Sequence, residues 1–230
     1  MTYEELEKKQ EKEELLFYHD FWKHYIALEK LFMETEKYVA ISEDNKKTYS
    51  IQYDILLQAI CGELDVAIKR FCYEYDHSYQ VHDMYDYIEV LLKNDKYIKE
   101  RKVELELYNM KFVPWKDIGF RNQNGKQKPN CPKWWNGYIG VKHRRITFEK
   151  EQNEFKIKEK NIKQANQDNV LNALAGLFII ETRCLELMRD RFHNLFKQIG
   201  SNTTIGISNR FNDSIFQETI EVSESYYFDL

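Results

Sequence analysis

The chain has 230 residues, a formal net charge of −4 and 43% hydrophobic residues, which suits one large domain with a sizeable core. Only 8 glycines and 3 prolines, with 31% charged residues, favour long helices over a turn-rich all-β protein. The first residues are highly charged and the longest apolar run, 173–180, is too short to cross a bilayer, so we expect a cytoplasmic protein that does not bind membranes.

The first half of the chain is predicted to be helical. After a mobile, charged start over residues 2–14, residues 15–39 show apolar side chains at a broken 3.6-residue period, which indicates one long helix. A second helix is expected from the N-cap Ser50 to Cys72, and a third from about Asp83 to Lys99.

The second half mixes strand and helix patterns. Alternating apolar residues at 103–107 indicate a strand, and Phe112–Phe120 is a candidate return strand, so a small β-hairpin is expected within about 102–130. Arg121–Asn130 is predicted to be a polar loop with a strong turn signal at Asn124-Gly125. Residues 148–160 are ambiguous between helix and loop, and residues 164–197 form the longest predicted helix, for which Gly200 is the expected stop. The fold class is therefore mainly α, with an inserted hairpin and a C-terminal tail over 201–230 that is partly extended or disordered and could dock on a partner protein.

Charge is unevenly distributed along the chain. Residues 121–163 contain twelve Lys or Arg against four Glu, a net of +8, which leaves −12 for the rest. Residues 212–230 contain five acidic side chains and no basic one. A basic segment in an acidic protein suits an anionic partner such as phosphate or RNA, although such charges also simply solvate a surface.

The most informative stretch is CPKWWNGYIGVKHRR, residues 131–145. Pro132 suits the start of a helix, because its missing N–H would have no helical partner there. On that helix Asn136, Gly140 and His143 form one stripe at spacings of four and three residues. Glycine costs a helix roughly 1 kcal/mol relative to alanine, and close approach of another backbone or a ligand at Gly140 would explain it.

Other candidate side chains surround this stripe or lie on the second helix. Glu63 falls near the buried side of that helix, where a carboxylate needs a partner, and a cation from the basic cluster 142–145 is a candidate. The alternative is that Glu63 reaches solvent at the edge of the helix. Lys69 stands four residues after Asp65 and can pair with it on the surface. The binding candidates are Lys142, Arg145, Trp134, Trp135, Tyr138, Glu63 and Lys69.

Metal and cofactor sites are not expected. The four cysteines form no Cys-x-x-Cys pair, and no phosphate-binding loop, dinucleotide fingerprint or Ser-His-Asp order is present. Most of the thiols are predicted to be reduced and to lie in the core.

Three segments resemble a group of uncharacterised bacterial and phage-associated proteins whose helical core is similar to the HEPN superfamily (higher eukaryotes and prokaryotes nucleotide-binding domain). They are GELDVAIK at 62–69, PKWWNGYIGVKHRR at 132–145 and NVLNALAGLFIIE at 169–181. The resemblance implies an up-and-down helical bundle over residues 1–200, a homodimer, and a role in bacterial defence such as abortive infection.

Many HEPN proteins are metal-independent ribonucleases whose signature is an arginine, four residues and a histidine. On this chain the histidine would be His143, but Tyr138 stands where the arginine would be. Asn136, Lys142, Arg144 and Arg145 are the residues that could substitute.

Three hypotheses stay open at this point. In the first, the protein is a ribonuclease in which His143 acts as acid or base while Arg144 and Asn136 hold the phosphate. In the second, it binds RNA, a nucleotide or a protein without cleaving, and Trp134, Trp135 and Tyr138 either stack on bases or pack in the core. In the third, His143 is a core histidine that donates to Glu63 or to a backbone carbonyl.

Overall fold

The computed structural model describes residues 1–76, 78, 80–151, 154–200 and 209–220, and these form a mainly α protein with small antiparallel sheets. Helix α1 (Tyr3–Phe17) continues through a π-helical turn (Tyr18–Trp22) into α2 (Lys23–Met33). The predicted long helix thus begins earlier than expected. Thr2 and Glu5 form a capping box, which satisfies two N-terminal donors and orders the charged start.

The next two helices begin at side-chain caps. Helix α3 (Ile51–Tyr75) begins after Ser50, whose hydroxyl accepts from the Tyr53 amide at 3.0 Å, which confirms the predicted N-cap. Helix α4 (Met84–Asn94) begins after Asp83, whose carboxylate accepts from the amides of Tyr85 and Asp86.

The region predicted as one hairpin and a polar loop contains two strand pairs, and the loop predicted for 121–130 is itself one of them. Strands β1 (Arg101–Leu105) and β2 (Met110–Phe112) are antiparallel neighbours, as are β3 (Gly119–Gln123) and β4 (Lys126–Asn130). Asn124 and Gly125 both have positive φ, 53° and 75°, as a two-residue hairpin turn requires, so the predicted turn is confirmed. The segment between the two pairs contains Trp115, whose side chain is buried in the core.

Helix α5 (Lys133–Arg144) follows, and then a third hairpin, β5 (Ile146–Glu151) with β6 (Glu154–Lys160). Neither the helix nor the loop considered for residues 148–160 is correct. Phe148 pairs across the hairpin with Ile157, and aromatic and β-branched residues favour such cross-strand positions.

Helix α6 (Gln167–Gln198) is the longest helix, with 32 residues, or about 48 Å at 1.5 Å per residue. Gly200 follows it with a φ of 81°, so the predicted glycine stop is confirmed. Helices α3 and α6 form the central pair of the core, and α1, α2, α4 and α5 pack around them. Helix α2 runs antiparallel to α3, since His24 contacts Glu63 while Phe32 stacks on Tyr53.

Part of the predicted tail belongs to this domain. Strand β7 (Gln217–Ile220) pairs with β1, giving a sheet of order β2-β1-β7. Just before it, Asp213 accepts from the Trp22 indole at 2.8 Å, and Phe216 packs on Phe112 and Phe178. The domain therefore does not end at residue 200, whereas residues 201–208 and 221–230 of the predicted tail lie outside the described residues.

Candidate functional site

The tryptophans of α5 face the interior. The Trp134 side chain is 2% exposed, and its indole N–H donates to the carbonyl of Pro114 at 2.9 Å. Tyr138 is 7% exposed, and Trp135 is half-buried against both rings. Of the two alternatives for Trp134 and Tyr138, core packing is therefore the one that their burial supports, because neither ring has an open face for a base to stack on.

Two glycines of α5 let neighbouring segments approach. A Cβ on Gly137 would lie 2.8 Å from Nδ2 of Asn169, near the start of α6. A Cβ on Gly140 would lie 3.6 Å from the Asn161 side chain, in the 3-10 turn after β6. The expected notch at Gly140 thus receives Asn161, whose amide donates to the carbonyl of Arg144 and closes the end of α5.

An open cleft of about 740 Å³ lies along this face of α5. Cationic side chains reach it from three positions: Lys133 at the start of the helix, Arg144 at its end, and Lys158 on β6. Asp117 is the acidic residue among its described lining residues. The cleft is therefore basic. Its other polar lining consists of Asn130, Asn136, Thr147, Asn161 and Gln164.

The predicted site residues separate onto different faces of α5. Asn136 and Arg144 line the cleft, together with Gly140. His143 is exposed to solvent but is absent from the lining of the cleft. Helical geometry explains this, since residues four apart share a face, and positions 136, 140 and 144 follow one another at that spacing.

Lys142 and Arg145 point away from the cleft, towards α3. The Lys142 ammonium donates to the Tyr138 hydroxyl at 2.8 Å and lies over that ring. Arg145 contacts the nearly buried carboxylate of Asp54 at 3.3 Å. Arg145 therefore connects α5 to α3, whereas Lys142 contacts a residue of its own helix, and neither cation lines the cleft.

The candidates on α3 have other partners. Glu63 contacts the imidazole of His24 at 3.4 Å, and burial raises the pKa of its carboxyl group. It is not paired with the 142–145 cluster, and the hypothesis that His143 donates to Glu63 is wrong. Lys69 pairs with Asp65 at 2.6 Å, which confirms the predicted surface pair.

A smaller basic cavity of about 280 Å³ shares Lys133 and Asp117 with the cleft. It adds Lys46, Lys111 and Lys116. Lys46 pairs with Glu43 and Lys111 with Glu104. The Asp168 carboxylate, which also lines this cavity, lies 3.6 Å from the Lys133 ammonium. Sequence patterns did not single out these lysines, because they come from separate segments of the chain. Lys158 belongs to the basic segment 121–163, but the net charge of that segment did not indicate which of its lysines would face a cleft.

Cys131 also lines the cleft. Its thiol is half-buried, and burial raises its pKa. The nucleophilic form of cysteine is the thiolate, so this thiol is not activated for attack.

A second cluster of ionisable side chains lies in the core between α2, α3 and α6. The Glu29 carboxylate accepts from the Tyr25 hydroxyl at 2.6 Å, the Ser214 hydroxyl at 2.8 Å and the Ile215 amide at 3.2 Å. Glu181 is fully buried, and neither of its oxygens has a hydrogen-bond partner among the described residues. Burial, together with the nearby charge of Glu63, raises the pKa of Glu181 well above its usual value.

No protein-family model, curated protein or solved structure matches this chain. Within the described part of the chain, no helix is long and apolar enough to cross a membrane, and no three His, Cys, Asp or Glu side chains form a cluster that could hold a metal ion. The geometry of the cleft is therefore the main guide to function.

Proposed function

We propose that this protein binds RNA and that the strand's phosphates occupy the cleft beside α5. The observation that supports this proposal is the convergence of Lys133, Arg144 and Lys158 on one open cleft. Arginine holds phosphate oxygens with two parallel hydrogen bonds, and lysine adds a mobile positive charge. Amide side chains between the cations can donate to and accept from base edges and ribose hydroxyls.

The adjoining cavity favours a polymer over a single nucleotide. Lys133 and Asp117 line both spaces, so the basic surface continues from Arg144 past Lys133 towards Lys116. A strand with several phosphates would use both ends of this surface, whereas a mononucleotide would use one. Without open aromatic rings, most of the affinity would come from the phosphates, and such binding weakens steeply with salt.

A ribonuclease activity is the second candidate, and the exposure of His143 favours it. The imidazole precedes Arg144 directly and is open to solvent, so a strand held by Arg144 could reach it. An imidazole titrates near neutral pH and can act as acid or base in RNA cleavage. Membership of the HEPN superfamily, the up-and-down bundle that it implies, a defence role and a protein partner for the tail stay predictions.

Two adjacent arginines allow a charge-matched test. Arg144→Gln removes a cation from the cleft, whereas Arg145→Gln removes one that contacts Asp54. Fluorescence anisotropy with labelled single-stranded RNA should show about tenfold weaker binding for Arg144→Gln, as expected for a lost charge-assisted hydrogen bond. The slope of log K against log salt should also fall by about 0.7.

Arg145→Gln should bind RNA like the parent protein, provided that thermal unfolding shows it to be folded. Absence of RNA binding by the parent, or equal losses in both variants, would contradict the proposal. For the second candidate, cleavage of the same RNA that His143→Asn abolishes without weakening binding would support catalysis. Cleavage that survives His143→Asn would exclude this histidine.

A further inference from the structure

The β3–β4 hairpin is an exposed, two-stranded ribbon whose charges have one sign. Every residue from Arg121 to Lys128 is exposed, and Lys126 is the third cation of the hairpin. Residues 118–148 contain no Asp or Glu. The β5–β6 hairpin, which also borders the cleft, contains four glutamates and four lysines over residues 146–160. The excess of positive charge is therefore particular to β3–β4, since the neighbouring hairpin does not share it.

The strand register places the three cations on one face of the ribbon. Arg121 lies directly opposite Lys128, and Gln123 lies directly opposite Lys126. Opposite residues share a face and successive residues along a strand alternate between faces, so these four side chains form one cationic face. The other face carries Phe120, whose ring centroid lies 5.0 Å from that of an aromatic ring on α4. Helix α4 therefore covers part of the other face, and the cationic face is turned away from it.

The cationic face continues into the basic cleft. Asn130 follows Lys128 by two residues, so it shares that face, and it lines the cleft. Cys131, the next residue, also lines the cleft. Burial raises the pKa of the Cys131 thiol and the positive charge of Arg121 opposes that rise, which places Arg121 near the edge of the cleft. The ribbon thus extends the basic surface beyond the residues that line the cleft.

Repulsion between these cations is not relieved inside the described part of the chain. Arg121 and Lys128 are like charges at directly opposite positions, and such pairs destabilise antiparallel strands. No described carboxylate forms an ion pair with Arg121, Lys126 or Lys128. Phosphates neutralise lysine and arginine side chains, so a nucleic-acid strand that lies across this face offsets the repulsion.

We propose that the cationic face binds single-stranded RNA where the strand leaves the cleft, so that the site takes a longer RNA than the cleft alone. This inference rests on the RNA binding proposed above. The cleft follows α5 from Lys133 to Arg144, about 16 Å at 1.5 Å per residue. The ribbon from Asn130 to Lys126 adds about 14 Å at 3.4 Å per residue.

The width of the ribbon favours one strand over a duplex. The two strands of a ribbon lie about 5 Å apart, so the cations form one narrow band. A duplex has phosphate backbones on both sides of a groove, and this band would contact only one of them. Gln123, beside the cations, can also donate to ribose hydroxyls or to the base edges of an unpaired strand.

Binding of two RNA lengths tests the ribbon separately from the cleft. Fluorescence anisotropy would use labelled single-stranded RNAs of about 4 and about 16 nucleotides, the limits of the site sizes known for single-strand grooves. The full-length Lys126→Gln/Lys128→Gln variant should bind the long RNA about tenfold more weakly than the parent. The slope of log K against log salt for that RNA should fall by about 1.4, from two lost phosphate contacts. The affinity of the variant for the short RNA should equal that of the parent.

The matched control removes two exposed lysines from α1. Lys8 and Lys12 lie on a helix that packs through Tyr3 on Phe196, near the end of α6. The start of α6 lies beside the cleft, where Asn169 approaches α5, so these lysines are at the opposite end of the long helix. The Lys8→Gln/Lys12→Gln variant should therefore bind both RNAs like the parent.

Thermal unfolding distinguishes a binding role from a structural one. The Lys126→Gln/Lys128→Gln variant should unfold at the same temperature as the parent or at a slightly higher one, because the repulsion between Lys128 and Arg121 is removed. A lower unfolding temperature would show that these lysines support the fold, which would contradict the proposal.

The RNA measurements also separate this inference from the proposed function. Arg144→Gln should weaken binding of both RNA lengths, whereas the ribbon variant should weaken only the long one. A ribbon variant that binds the long RNA like the parent, or that loses affinity for both lengths or no more than the α1 control, would overturn the extension and leave RNA binding in the cleft intact. A parent that binds neither RNA would overturn both proposals. A duplex that binds as tightly as the long single strand would contradict the choice of one strand.

Discussion

The basic cleft and the buried acidic cluster are the two polar regions of this molecule, and they differ in access to water. In the cleft, Lys133 and Arg144 are exposed beside an open space, so a ligand can replace the water around them. The Lys133 ammonium also lies 3.6 Å from the Asp168 carboxylate. In the core, Glu29 and Glu181 are buried, and burial raises the pKa of both carboxyl groups. Charge in the first region is available for binding, whereas in the second it affects stability.

The sequence alone drew attention to the basic segment and not to the buried carboxyl groups. It marked residues 121–163 as basic and treated Glu63 as a possible partner for that cluster, but it gave no sign that Glu29 and Glu181 would be buried. Helix α2 is amphipathic, and the Glu29 position becomes buried only when residues 214–215 pack over it. We therefore expect substitutions in the core to change the free energy of unfolding, and substitutions in the cleft to change RNA binding.

The largest effect is expected for Glu29→Ala. This change leaves the Ile215 amide and part of the Tyr25 and Ser214 hydrogen bonding without an acceptor in the core. Buried donors without partners cost about 1–3 kcal/mol each, so urea denaturation should show a loss of about 3 kcal/mol. The exposed Glu34→Ala change on the same helical segment is the control, and equal stabilities for both variants would contradict the comparison.

A smaller loss is expected for Gly137→Ala. Its Cβ would lie 2.8 Å from the Asn169 amide, which donates to the carbonyl of Gln164 at 2.7 Å and cannot move without losing that bond. Overpacking of this kind typically costs 1–3 kcal/mol, so we expect about 2 kcal/mol by urea denaturation.

Gly140→Ala, one turn along the same wall of the cleft, is the matched control. Its Cβ would make an ordinary contact with Asn161, and alanine favours a helix, so stability should be equal or slightly higher. A greater loss for Gly140→Ala than for Gly137→Ala would refute this account of the two glycines.

Glu181→Gln should change how stability depends on pH. The pKa of Glu181 is higher in the folded state than its unfolded value of about 4.5. The contribution of Glu181 to the free energy of unfolding is therefore fully present below the unfolded pKa and is lost as the pH rises through the folded pKa. Each pKa unit of difference corresponds to about 1.4 kcal/mol. Glutamine resembles the protonated acid, so the variant should lose less stability between pH 5 and the alkaline range.

Free energies of unfolding measured across that pH series would show the change as a flatter curve. The exposed Glu7→Gln variant should follow the parent curve. A Glu181→Gln curve that stays parallel to the parent's would show that Glu181 is ionised in the folded protein or that its proton is not coupled to folding.

The smallest effect on stability is expected for Arg144→Gln. Substitution of an exposed side chain outside the packed core usually changes the free energy of unfolding by no more than about 0.5 kcal/mol. The same variant should nevertheless bind RNA more weakly, as proposed above. A loss of stability of several kcal/mol would mean that Arg144 supports the fold, and the contrast between cleft and core would no longer hold.

Local patterns predicted several elements of the fold well. The cap at Ser50, the Asn124-Gly125 turn and the stop at Gly200 depend on a few neighbouring residues, so the sequence was sufficient for them. The β5–β6 hairpin was missed because its charged residues obscured the alternation of apolar ones. The tail was predicted to be partly extended, but the pairing of β7 with β1 was not predicted, because β1 lies more than a hundred residues away.

The candidate site was predicted only in part. Asn136, Gly140 and Arg144 came to one face because helical spacing requires it, whereas Lys133 and Lys158 joined them through the packing of α5 against the turn after β6. His143 was placed beside the glycine notch by sequence spacing, but the notch received Asn161.

The amino-acid sequence by itself determined the helical character of the chain, the position of α5 and the excess of positive charge around it, because propensity, capping and composition are local properties. Tertiary structure alone decided which cations face an open cleft, which aromatic rings are buried and which carboxyl groups lose their charge. These depend on the water that each side chain keeps after distant segments have packed around it, and no local pattern contains that information.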